Sequence, residues 1–134
     1  MRIVVINHVT LDGVMQAPGR ADEDTRDGFE HGGWAAAAIK SPDPDVGEAM
    51  GARMGQSDGL LLGRLTYVEL LASWNAQGGP FKDALNNAQK YVASATLTEP
   101  LPWPNSTLLG ADVITEVGAL KARPGRELHI LGSG

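Results

Sequence analysis

The chain contains no cysteine, which excludes disulfides, thiolate metal ligands and a cysteine nucleophile. No apolar run approaches the ~20 residues that a membrane-spanning helix needs, so no membrane partner is expected. The opening Met1-Arg2-Ile3-Val4-Val5-Ile6-Asn7-His8 goes straight into a strand pattern with no small-residue cleavage site behind it. That argues against a signal peptide and makes the cytoplasm the expected compartment. Basic residues are outnumbered, 11 Lys and Arg against 16 Asp and Glu, for a net charge of −5. A nucleic-acid surface would need clustered cations, so no nucleic-acid partner is expected. A Gly-x-Ser-x-Gly elbow and a Walker-type lysine are both missing, which lowers hydrolase and NTPase readings. His8, His31 and His129 lack a short metal-ligand spacing. The acids Asp22, Glu23, Asp24, Asp27 and Glu30 lack the register of a calcium loop and read as a solvated acidic loop, so no metal site is expected.

What is present fits a single α/β domain over residues 1–134. Residues 2–9 form a β-branched run suited to a strand covered on both faces. Residues 10–33 read as one long irregular segment, punctuated by Asp12-Gly13, Pro18-Gly19 and Gly32-Gly33. A short helical piece follows at 34–39, and Ser41-Pro42-Asp43-Pro44 supplies cap chemistry for a helix to about Gln56. Strands are expected at 58–63, 90–94, 106–109 and 127–131. Helices are expected at 64–74, 81–88 and from Asp112 onward, the first carrying Tyr67, Leu70, Leu71 and Trp74 as one buried stripe. Strands alternating with helices imply βαβ units and a mostly parallel sheet.

In open α/β sheets ligands bind beyond the carboxyl ends of the strands. Four such ends carry usable chemistry. At Leu62-Gly63-Arg64-Leu65-Thr66 a glycine permits close backbone approach, the helix start favours an anion, and Arg64 and Thr66 add a charge and a hydroxyl. The plain alternative is a βα turn in which Thr66 caps the helix. Ser94 and Thr96 flank a single residue after the next strand and suit phosphate or ribose oxygens, or merely local turn bonds. Leu131-Gly132-Ser133-Gly134 looks like half of a dinucleotide-binding turn. Asp12, after the first strand, suits orientation of a substrate, whereas Asp-Gly is also an ordinary turn pair.

Taken in order, Leu11-Asp12-Gly13-Val14-Met15, Phe29-Glu30-His31-Gly32-Gly33-Trp34, Leu61-Leu62-Gly63-Arg64-Leu65-Thr66-Tyr67, Lys90 to Leu97 and Gly132-Ser133-Gly134 resemble the dihydrofolate-reductase-like proteins. The likeness is to those related to the C-terminal reductase domain of the bifunctional riboflavin-biosynthesis deaminase–reductase. The resemblance spans the whole chain. It implies a mixed, mostly parallel sheet flanked by helices and a dinucleotide, NADPH or else NADH, lying across the strand ends. By the same likeness Gly63, Arg64 and Thr66 lie near the cofactor phosphates, Ser94 and Thr96 near the adenosine ribose, and Gly132, Ser133 and Gly134 near the pyrophosphate. Asp12, Gly13 and Trp34 are given to the substrate, with Asp12 as the candidate catalytic acid. Two departures stand out. Relatives often carry an arginine where this chain has Ala95. The family domain also continues past the Gly-x-Gly with a helix and closing strands, so the chain is expected to lack that part and to pair as a homodimer.

The implied activity is hydride transfer from NADPH to a small heterocyclic substrate, pyrimidine- or pterin-like. The competing expectation is a non-catalytic nucleotide-binding or dimerising module that keeps the reductase fold.

Overall fold

The computed structural model describes residues 1–40 and 43–132. By their own contacts these residues divide into two compact units, one of residues 1–6 and 56–132, the other of residues 7–55.

The first unit is built on five strands: β1 (Arg2–Ile6), β2 (Ser57–Gly63), β3 (Lys90–Ala93), β4 (Ser106–Leu109) and β5 (Glu127–Leu131). They form one sheet in the order β1-β5-β2-β3-β4. Every pairing is parallel, so among the described residues the sheet is wholly parallel rather than mixed. Parallel neighbours need crossover connections, and the sequence supplies them as helices or, between β3 and β4, as the proline-rich segment 94–105. The first strand stops at Ile6, short of the expected residue 9, because only Arg2 to Ile6 find ladder partners on β5.

Side chains alternate between faces along a strand, and the sequence loads both faces. On one face Leu128, Leu109 and Leu61 pack with Val117 and Leu120 of α5 (Val113–Ala122). The opposite face carries α3 (Arg64–Gln77) and α4 (Pro80–Asn87). Lys90 and Ser106 are register partners there; Lys90 reaches carbonyls at the end of α4, and Ser106 bonds to Tyr67 of α3. Tyr67 and Leu71 form the buried centre of the α3 stripe, while Leu70 and Trp74 are half-buried. Helices on both faces of a parallel sheet make this an α/β architecture.

The second unit contains α1 (Ala36–Lys40), α2 (Pro44–Met54) and the long loop before them. Asp43 caps α2 as expected, its carboxylate accepting from the Asp45 N–H at 3.0 Å, with Pro44 in the first turn. Ser41 and Pro42 lie outside the described residues. The loop is ordered by its own bonds. Gly33 N–H donates to Ala17 O at 2.7 Å and Gln16 Nε2 donates to Arg26 O at 3.0 Å. A 3-10 turn occupies Arg26–Gly28. No described helix is long and apolar enough to cross a membrane.

Candidate functional site

Gly63, Ala93 and Leu131 end three adjacent strands of one parallel sheet, so the residues after them leave it at one carboxyl edge. The register holds them level: Gly63 pairs with Ala93, and Leu61 with Ile130. This brings Gly132, the Gly63-Arg64 corner and Ser94 to consecutive positions on that edge.

Gly63 is extended at φ −75° and ψ 162° and serves as the N-cap of α3 without a side-chain bond. Among the described residues the first-turn N–H groups therefore have no capping side chain, and they carry the positive end of the helix dipole. Thr66 lies inside the first turn, so the plain capping role is not the one it takes. Its hydroxyl stands against β5. A Cβ at Gly132 would lie 2.6 Å from Thr66 Oγ1 and 3.1 Å from its Cγ2, and Gly132 has φ +81°. Only glycine suits both the left-handed backbone and that approach. Arg64 is exposed, and its guanidinium has no hydrogen-bond or ion-pair partner among the described residues.

Ser94 closes a turn: its Oγ accepts from the N–H groups of Thr96 at 3.1 Å and Leu97 at 3.0 Å. Both hydroxyls are at the edge, but that of Ser94 has spent its lone pairs locally and keeps a proton to donate. Beside it lies a depression of about 270 Å³ lined by Ala93, Ser94, Ala95, Gly110, Ala111 and Val113. The sequence reading passed over its far wall. Gly110 directly follows β4, and its N–H donates to Glu116 Oε1 at 2.7 Å. Asp112 caps α5, accepting from Thr115 N–H, and the Thr115 side chain, then that N–H, hold its carboxyl below the ordinary range. A glycine directly after an apolar strand was the available signal; nothing in the sequence pairs it with Glu116.

Asp12, Gly13 and Trp34 belong to the second unit. Thr10 to Val14 form a tight loop, with Thr10 N–H donating to Val14 O, Val14 N–H to Thr10 Oγ1, and Gly13 at φ +94°. The Thr10 hydroxyl donates to Asp12 Oδ1 at 2.6 Å. That bond, then Asp12's own backbone N–H, holds the carboxyl below the ordinary carboxylate range. In its ionised form Asp12 can accept a hydrogen bond and orient a substrate. Trp34 spends its indole N–H on Gln16 O at 2.9 Å, leaving ring surface for any contact.

Three polar residues, Lys90, Glu127 and His129, are buried among those described. Lys90 is fully buried and its Nζ donates to the carbonyls of Leu85, Asn86 and Ala88, at 2.7, 3.3 and 2.7 Å. It closes the end of α4, a cation at the negative helix terminus. Glu127 bonds to Arg2 of the neighbouring strand and to His129 Nε2 at 2.8 Å, while His129 Nδ1 has no hydrogen-bond partner among the described residues. His129 is fully buried. No group of three or more His, Asp or Glu able to hold a metal occurs among the described residues. Ser133 and Gly134 lie outside them.

No protein-family model matches the chain, and no curated protein matches it either.

Proposed function

We propose that the chain is a reductase of the dihydrofolate-reductase-like kind, using NADPH or NADH against a small heterocyclic substrate. The observation that supports this most is the convergence of Gly132, the uncapped first turn of α3 with Arg64, and Ser94 on adjacent strand ends. Free N–H groups, a helix dipole and an exposed guanidinium together suit a diphosphate, and glycine at 132 keeps side-chain bulk off that path. A bound nicotinamide would supply the hydride. Thr66 and Ser94 each offer a hydroxyl donor to cofactor oxygens. Asp12, Gly13 and Trp34 are given to the substrate on the resemblance alone, Asp12 as an ionised acceptor for a ring N–H. The cytoplasm and a homodimer belong to the same reading.

Titration of the chain with NADPH and NADH, followed by nicotinamide fluorescence, tests it. At least one dinucleotide binds, and Arg64→Ala weakens that binding by on the order of 1–3 kcal/mol. Unchanged affinity in the variant removes Arg64 from the phosphate site. Silence toward both dinucleotides removes the reductase reading.

The carboxyl of Asp12 supports a second reading. Held low and exposed, it leaves the reductase without a named proton donor, as a non-catalytic nucleotide-binding module would be. Binding without turnover of any pterin or pyrimidine would favour that module. A stable dimer by size exclusion that ignores both dinucleotides would favour a scaffold.

A further inference from the structure

The carboxyl edge of the sheet has two helix starts of opposite electrostatic character. At α3 the first turn is uncapped and Arg64 stands beside it. At α5 Asp112 accepts from the first-turn Thr115 N–H, and Glu116, itself in that turn, accepts at 2.7 Å from the N–H of Gly110, which precedes the helix. An anion arriving at the second start would meet occupied donors and like charge.

The depression at the ends of β3 and β4 lies on that second side. Five of its six lining residues are Ala, Gly or Val, none is Lys or Arg, and the one polar member is Ser94. The Ser94 oxygen is taken by two backbone N–H groups, which leaves its one hydroxyl proton for Thr96 Oγ1 at 3.5 Å or for a ligand. Gly110 brings Glu116 to the rim: a Cβ there would fall 2.5 Å from Glu116 Oε1, so any larger residue would displace the carboxylate. A small-residue, cation-free hollow with a carboxylate at its rim takes a flat neutral ring and hydroxyls that donate hydrogen bonds. It disfavours a phosphate monoester, which carries roughly −1.5 to −2 charge at neutral pH.

Resting on the dinucleotide reading above, we propose that this depression receives an adenosine with an unsubstituted ribose, so that the chain selects NADH over NADPH. The diphosphate would lie toward Arg64, and the 2′ position toward the acidic rim.

Parallel titrations of the full chain with NADH and NADPH, read by nicotinamide fluorescence, decide the matter. NADH is expected to bind tighter by roughly tenfold or more, since one repelled charge at close range carries about that factor. Ala95 is exposed, so Ala95→Arg adds a phosphate partner without burying a charge, and NADPH affinity should rise about tenfold. Glu116→Gln should narrow the gap from the NADPH side. NADPH binding as tightly as NADH overturns the selectivity while leaving the dinucleotide reading intact. An Ala95→Arg chain that folds by circular dichroism yet gains nothing for NADPH also overturns it. Failure of both dinucleotides to bind takes down this inference together with the reading it rests on.

Discussion

Lys90 shows how much one residue can be asked to do inside this sheet. Its ammonium is fully buried, and burial pushes it down to about 8 from an ordinary value of 10.5, against the pull of three carbonyl oxygens. Below pH 8 the folded and unfolded chains both hold the proton. Between pH 8 and 10.5 the unfolded chain holds it more often, so stability rises with pH through that window. Lys90→Met removes the titration and orphans the carbonyls at the end of α4. It should destabilise the chain by about 1–3 kcal/mol at pH 7. The deficit should widen by on the order of 1–2 kcal/mol by pH 10, as the parent gains what the variant cannot. Urea unfolding of both chains across that range measures it, and a constant deficit would contradict the buried-charge account. In the sequence Lys90 looks like any polar residue in an alternating strand, as Glu127 and His129 do. Their burial depends on which helix or strand packs opposite, and local pattern does not carry that. Asp12 was more readable, because Thr10 and Gly13 sit within its own turn.

Among the elements, helix starts were the most legible. Asp43-Pro44 and Asp112 announce α2 and α5, and both carboxylates cap as their chemistry requires. β4 and β5 begin and end where the apolar runs do. The first strand was drawn too long, since Asn7, His8 and Val9 continue the pattern but have no ladder partner. The candidate site was legible to the same degree: Gly63 ends a strand pattern, and Ser94 and Gly132 each follow one. Their neighbourhood, and the carboxylate of Glu116 across from Gly110, come only from the strand order. The cap at Asp43 gives a test at this scale. None of the α2 residues is buried, so the helix leans on its terminus more than on packing. Asp43→Ala should lower the local opening free energy of α2 by about 1 kcal/mol, seen as faster amide exchange there and unchanged exchange in β2.

Across the molecule, burial is uneven. The unit of residues 56–132 and 1–6 holds nearly all the buried side chains, whereas residues 7–55 contain two, Ala17 and Ala35, among those described. Hydrogen exchange should follow that division. Amides of β5 and β2, each flanked by strands on both sides, should exchange at least about a hundredfold more slowly than those of α2. Equal protection would mean that the two units open together. The strand order also dictates a timetable. Of the five described strands β5 is made after the other four, yet it lies between β1 and β2. Until residues 127–131 emerge, β1 lacks its described ladder partner, and the nascent chain must carry Ile3, Val4 and Val5 without it while residues 7–126 are made.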